Sequence, residues 1–319
     1  EFVAKYRGRY DQGWTALRQA RRDGAIRAGM MPAGMPMNTL PRTLAWDSLT
    51  PDRQRQQARR MEVYAAMAEA MDAEVGRLVQ HLKSSGQYDN TVFIFTSDNG
   101  GMSAANFGRP DRVVAPTALN AAFATSNLPL RGAKGWLYEG GIRVPLFIRW
   151  PGRSASGTVS NVPVIGTDLY PTILEMVGAP ALPAQHVDGV SLAGLARGGP
   201  APERSALFWH FPAYLEAHGS GEEDPFRARP FGAVRSGPWK LIEHFEDGRL
   251  ELYNLRADIG ETRDLAATEP GRVAEMRAQL HVWQREVGAQ MPVTNPAYQP
   301  TKPEYTPPPA KAKKGAARG

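Results

Sequence analysis

Residues 91–101, TVFIFTSDNGG, constrain this chain more than any other stretch. Val92-Phe93-Ile94-Phe95 is a continuous apolar run with no polar residue alternating, the pattern of a strand in a parallel sheet covered on both faces by helices. It leads directly into a carboxylate, Asp98, a carboxamide, Asn99, and two glycines. In open α/β sheets functional groups gather outside the carboxyl ends of the strands, where Asp98 and Asn99 fall. Both offer hard oxygen donors, suited to Ca²⁺ or Mg²⁺ rather than to softer metals. Gly100 and Gly101 let the backbone leave without side chains crowding an ion. The same four residues also make a good turn. Taken alone they favour the plain turn, and the strand before them brings the two readings level. A cation that takes about six or more oxygens needs ligands beyond these two.

The flanking signals set this strand in an α/β context. Thr50 is an N-cap candidate, Pro51 suits the first helical position and Asp52 favours the positive end of the helix dipole. Met61, Tyr64, Ala68, Met71, Val75, Leu78 and Leu82 then recur at threes and fours, one apolar stripe of a long amphipathic helix. Gly86 can stop that helix in a left-handed conformation. Val144–Trp150 is a second apolar run, closed by Pro151-Gly152, and Asp168–Val177 reads as a helix. Between the two runs, residues 102–128 lack periodicity and read as a long loop near the site. Phe231–Arg235, Trp239–Phe245 and Leu250–Leu255 are strand candidates, the last two joined by the hairpin signal Asp247-Gly248. A helix is expected from Pro270 to about Val287, with Val273, Met276, Leu280 and Trp283 on one face.

The expected organisation is therefore a surface-wrapping connection over 1–50, with a short helix around Tyr10–Arg22, then part of an α/β core over 51–200. A small antiparallel sheet with a flanking helix follows over 201–292, and a Pro-rich, then Lys/Ala/Gly-rich, disordered basic tail over 293–319.

Composition narrows the function. The 319 residues contain no run of about 18 apolar residues, so no membrane-spanning helix is expected. The absence of cysteine excludes disulfides, zinc-thiolate sites and a cysteine nucleophile within these residues. The net charge of +6 is unevenly spread: +7 over 1–60, +4 over 297–319 and −5 over the body between. With the basicity at the two ends and no basic-and-aromatic signature beside it, nucleic-acid binding is not expected. The first residue is Glu1, and the chain reads as an internal piece of something longer.

A second stretch carries chemistry: LRGAKGWLYEGGIRVPLFIRWPG, residues 130–152. Lys134 lies among small residues, so its ammonium can reach an anion with little obstruction and could neutralise charge growing on a tetrahedral oxyanion. The alternative is a solvated loop lysine. Glu139 and Arg143 flank Gly140-Gly141 and are expected to pair, holding the loop against the strand. Trp209, Trp239 and Trp283 are expected in the core.

These stretches resemble the sulfatase family, whose members share the alkaline-phosphatase-like α/β fold. The resemblance rests on FTSDNGG, on LRGAKGWLYEGGIRVPLFIRWPG, on TDLYPTILEMVG at 167–178 and on GPWKLIEHFEDGRLELYNLRADIGETRDLA at 237–266. The opening KYRGRYDQGW is similar to bacterial-type arylsulfatases. The compartment stays open, with the periplasm or the cell exterior favoured slightly over the cytoplasm. The resemblance implies that Asp98 and Asn99 are two ligands of one Ca²⁺ ion and that Lys134 contacts the sulfate group. It further implies a formylglycine nucleophile and a small-molecule sulfate ester as substrate, an aryl sulfate or a sulfated sugar.

His210, in LFWHFPAY, is similar to a stretch near the substrate pocket of some carbohydrate sulfatases, although a hydrogen-bonded structural histidine is its commoner alternative. His218 and His244 read as structural. The family's Cys/Ser-x-Pro-x-Arg motif and its further metal-binding aspartates have no match here, so the chain resembles the C-terminal portion of a sulfatase. The fold expected is accordingly an incomplete alkaline-phosphatase-like sheet flanked by helices, with exposed apolar surface and unpaired strand edges. Phosphate or phosphonate ester hydrolysis on the same fold, and an inactive fragment or binding module, are the alternatives.

Overall fold

The computed structural model describes residues 1–29, 33–34, 45–102, 127, 129–182, 184–185, 188–217 and 226–297. His218, almost all of the 102–128 loop and most of the expected 293–319 tail lie outside them.

The amino-terminal part is helical. Helix α1 (Phe2–Lys5) and helix α2 (Gly13–Arg27) pack on the long helix α3 (Pro51–Ser84). The helix expected at Tyr10–Arg22 thus starts and ends later. Gly13 turns at φ +80° beneath Trp46, where a Cβ would lie 2.2 Å from the indole, and the helix runs on from that joint. The Thr50 hydroxyl accepts from the Arg53 amide at 3.4 Å, Pro51 opens α3, and Gly86 at φ +73° follows its end. The apolar stripe of α3 behaves differently from its expectation. Met61 is buried with Ala58 and Ala66, whereas Tyr64, Met71, Val75 and Leu78 remain 40–56% exposed. Beyond the turns where α1 seats, this face of α3 meets few described elements.

Strand β1 (Phe93–Thr96) pairs with β2 (Leu146–Arg149), with helix α4 (Glu139–Ile142) between them in sequence. The pairing is antiparallel, Phe95 opposite Phe147, which corrects the expected parallel direction, while apolar surface left exposed is what an incomplete sheet was expected to show. Phe95 is 45% and Phe147 62% exposed, and among the described residues no third strand joins this ribbon. An apolar run reports a preference for burial; it does not supply the layer that buries it. Helix α5 (Leu169–Val177) lies within a residue of its expected span and ends at Gly178 in a left-handed cap. Asp168, fully buried before α5, accepts from the Ile165 and Val190 amides and from Arg204 at 2.6 and 3.0 Å, tying the segment around helix α6 (Ala193–Ala196) to α5.

The carboxy-terminal part follows its expectation. Strands β3 (Leu207–Phe211), β6 (Phe231–Ser236), β7 (Trp239–His244) and β8 (Leu250–Asn254) form an antiparallel sheet in the order β3-β6-β7-β8, and β4 (Leu215–Ala217) pairs antiparallel with β5 (Phe226–Ala228) in a separate two-stranded sheet. Period-two alternation gives the larger sheet two different faces. Val234, Leu241 and Leu252 pack on Met276 and Leu280 of helix α7 (Pro270–Glu286), each such buried side chain contributing about 1.5–3 kcal/mol. Phe231, Ala233, Ile242 and Tyr253 face the other way and pack on Trp136, Leu137 and Tyr138. The sheet therefore lies between its own helix and the segment that carries Lys134. Trp239 and Trp283 pack against the first cluster and Trp209 against the second, in the core as expected.

Candidate active site

The turn after β1 and the Lys134 segment abut backbone to backbone. The Gly100 amide donates to the Gly141 carbonyl at 2.8 Å, and the Lys134 amide donates to the Gly101 carbonyl at 3.2 Å. Asn127 stitches the same two segments, its Nδ2 donating to the carbonyls of Gly101 at 2.8 Å and Gly132 at 3.1 Å. Only hydrogen atoms fit at two of the contact points. A Cβ on Gly100 would lie 1.9 Å from the Gly140 carbonyl oxygen, and one on Gly140 would lie 2.3 Å from that of Gly132. The glycines that first read as turn-formers are thus also required by close packing of two loops.

Asp98 is exposed and Asn99 half-buried at this junction, and Asn99 Nδ2 donates to Asp98 Oδ1 at 2.9 Å. The side-by-side carboxylate and carboxamide are a hard donor pair that fits Ca²⁺ in kind. They make only part of a shell, and among the described residues no group of three His, Asp or Glu gathers to complete it. Lys134 is exposed, on the segment whose amide meets this turn through the Gly101 carbonyl. The structure thus brings Asp98, Asn99 and Lys134 into one neighbourhood and leaves His210 out of it. On β3, His210 Nε2 lies 2.8 Å from the Gln290 carbonyl and Nδ1 lies 3.2 Å from Gln284 Nε2. The Gln284 amide must donate, so Nδ1 accepts and Nε2 carries the proton. Both nitrogens are occupied within the chain, as the structural alternative requires. His244 likewise meets Glu251 at 3.2 Å.

Two buried polar clusters hold the Lys134 segment on the C-terminal sheet. In the first, Glu251 accepts from the hydroxyls of Tyr138 at 2.8 Å and Tyr253 at 2.7 Å, and also meets Arg249. Arg131 stacks over Tyr138 at 4.0 Å and donates to the Tyr253 hydroxyl at 2.7 Å. Burial alone would push the Glu251 carboxyl up; hydrogen bonds from His244 and Tyr253, with the charges of His244 and Arg131, outweigh it and hold the group well below the usual carboxylate range. Burial, reinforced by the Glu251 charge, pushes both tyrosines far up.

In the second cluster the fully buried Lys240 lies between Glu139, at 3.1 Å, and Glu261, at 2.8 Å. The expected Glu139–Arg143 pair is present at 3.5 Å, and Lys240 is the closer partner of Glu139. Burial works against ionised Glu139, but Lys240 and Arg235 hold its carboxyl below the ordinary value, whereas burial prevails at Glu261 and raises it. Sequence reasoning passed over Asn127, Arg131, Lys240, Glu251 and Glu261. Of these only Lys240 and Glu251 carry a local signal, charge at the inward positions of strands, on the same face as Ile242 and Tyr253 respectively.

Comparison with known proteins assigns the chain to a family. A profile described as Sulfatase matches residues 1–179, and one described as N-sulphoglucosamine sulphohydrolase, C-terminal, matches residues 133–288. The chain belongs to the sulfatase family. It is 34% identical to an uncharacterized sulfatase of Schizosaccharomyces pombe over 90% of this chain and 55% of that protein. It is also 34% identical to a sulfatase of Formosa agariphila over 69% of this chain and 39% of that one. The chain thus spans about half the length, or less, of these curated relatives. A solved structure of a protein in complex with its substrate D-glucosamine-2-N,6-O-disulfate superposes with a TM-score of 0.56 at 24% identity, covering 75% of this chain and 43% of that one. A phosphonate monoester hydrolase from Silicibacter pomeroyi superposes at 0.53 and 24% identity, covering 84% and 48%. These likenesses establish the alkaline-phosphatase-like α/β fold.

Proposed function

We propose that this chain supplies part of the active site of a sulfuric ester hydrolase, acting on sulfate monoesters of the aryl or sugar type. The supporting observation is the paired backbone contact, Gly100 to Gly141 and Lys134 to Gly101, which sets a hard-donor pair and an exposed ammonium on adjoining loops. Asp98 and Asn99 would hold a Ca²⁺ ion, which when bound polarises the sulfate oxygens. Lys134 would bind the ester's sulfate group and offset charge that increases in the transition state. The nucleophile, a formylglycine by family resemblance, would come from sequence outside these residues, since the chain has neither a cysteine nor a Ser-x-Pro-x-Arg stretch.

The test is turnover by the protein in its longest natural form. Asp98→Ala and Lys134→Ala are each expected to lower kcat/KM on an aryl sulfate by about 10²-fold or more. Unchanged rates would remove both residues from the site. Measuring aryl sulfate against aryl phosphate and phosphonate with the same preparation separates this reading from the other chemistry that the fold hosts.

A further inference from the structure

The charges sealed between the C-terminal sheet and α4 take no part in that chemistry, yet they are connected to it by a short route. Lys240, Glu139 and Glu261 are each 2% exposed or less in their side chains. Glu261 also accepts from the Glu139 amide at 2.7 Å, so the first residue of α4 is fixed by both its backbone and its side chain. Gly140 and Gly141 follow Glu139 directly, the Gly141 carbonyl accepts from Gly100, and Gly100 follows Asn99. On the far side of the same turn, the Gly101 carbonyl takes the Lys134 amide.

Glu261 adopts φ +51°, the left-handed region that a non-glycine residue rarely occupies, and from there its carboxylate reaches both Lys240 and α4. Arg143, at 3.5 Å, and Arg235, at 3.9 Å, are the other charges facing Glu139. So buried an ionic group is a poor device for stability, since apolar residues of similar volume often serve as well. It is a good device for geometry, because charges out of water are satisfied in few arrangements.

We propose that Lys240 is a positioning residue for the candidate site. By holding Glu139 and Glu261 together it fixes how α4 meets the turn after β1, and so sets Asp98, Asn99 and Lys134 relative to one another. The catalytic meaning of that placement rests on the sulfatase reading above, whereas the placement itself does not.

Amide hydrogen exchange on the 319-residue chain tests it. Wild type is compared with Lys240→Met and with the double variant Lys240→Met/Glu261→Met, which leaves Glu139 its two arginines. The expected result is exchange at Gly100 and Lys134 that quickens by about tenfold or more relative to Leu241 in the sheet, with far-UV circular dichroism retained. A uniform rise at all three amides, or wild-type ratios in a folded variant, would overturn the proposal. So would a double variant that cannot fold, because the cluster would then be a stability element. Should Lys240→Met alone unfold, the double variant decides. Calcium titration by calorimetry on wild type and the double variant is expected to show weaker binding in the latter. A wild-type chain that takes up no calcium would sink the metal role of Asp98 and Asn99, and the exchange ratios would still decide on Lys240.

Discussion

Gly100 shows how much a single missing side chain carries. With a prospective Cβ 1.9 Å from a carbonyl oxygen, Gly100→Ala forces α4 and the turn apart. The expected loss is about 1–3 kcal/mol in a denaturation experiment. Glu251 makes the complementary case for a residue that is present. Its carboxyl titrates below the ordinary value of about 4.3, so folding favours the ionised form. Its contribution is therefore complete above about pH 4.3 and is lost as pH falls towards the depressed folded value. Glu251→Gln should lower the melting temperature at pH 7 and flatten its decline in acid. A wild-type slope in the variant between pH 7 and pH 3 would assign the acid sensitivity to other carboxylates. Asp98, Asn99 and Lys134 stood out as candidates because their neighbours are unusual in sequence, glycines beside them and an apolar strand before Asp98. Lys240 and Glu261 did not, since a single charge at an inward strand position is a weak signal and a glutamate in a loop signals nothing until the fold closes over it.

At the scale of elements, local signals did well wherever a segment completes its own surroundings. β6, β7 and β8 fall within a residue or two of their expected spans, because alternation, the Asp247-Gly248 turn and α7 are all near one another in sequence. The sheet's second covering layer was illegible, since it comes from Trp136, Leu137 and Tyr138, about a hundred positions earlier. β1 and β2 fared worse. Their apolar runs are real strands, but direction and burial depend on neighbours that a run cannot name. The ribbon presents Phe95 and Phe147 side by side, ring centroids 6.1 Å apart, on strands with free edges among the described residues. This chain is accordingly expected to self-associate at micromolar concentrations. Phe147→Asp should reduce the light scattering without lowering the melting temperature, and an unchanged signal would place the sticky surface elsewhere, α3 being the next candidate.

For the molecule as a whole, the family profiles divide the chain where the structure does not. The Sulfatase match runs to residue 179, while the C-terminal match begins at residue 133, and the Lys134 segment belongs to both. Contacts also cross the division expected near residue 200, since Arg131, Tyr138 and Glu139 all find partners beyond it. Truncation after residue 200 would strip the cover from Trp136 and Tyr138 and leave Glu139 without Lys240. The shortened chain is expected to lose cooperative melting, and a sharp transition retained in it would show that the first part folds alone.

The inward lysine of β7 also bears on how this architecture can be rearranged by engineering or by recombination. A loop whose counter-charges are encoded more than a hundred codons downstream cannot be transplanted by itself. A chimera that borrowed residues 130–143 from another sulfatase without the matching sheet would strand carboxylates in the dark interior. The two pieces form one heritable cassette, split in the gene and joined only in space.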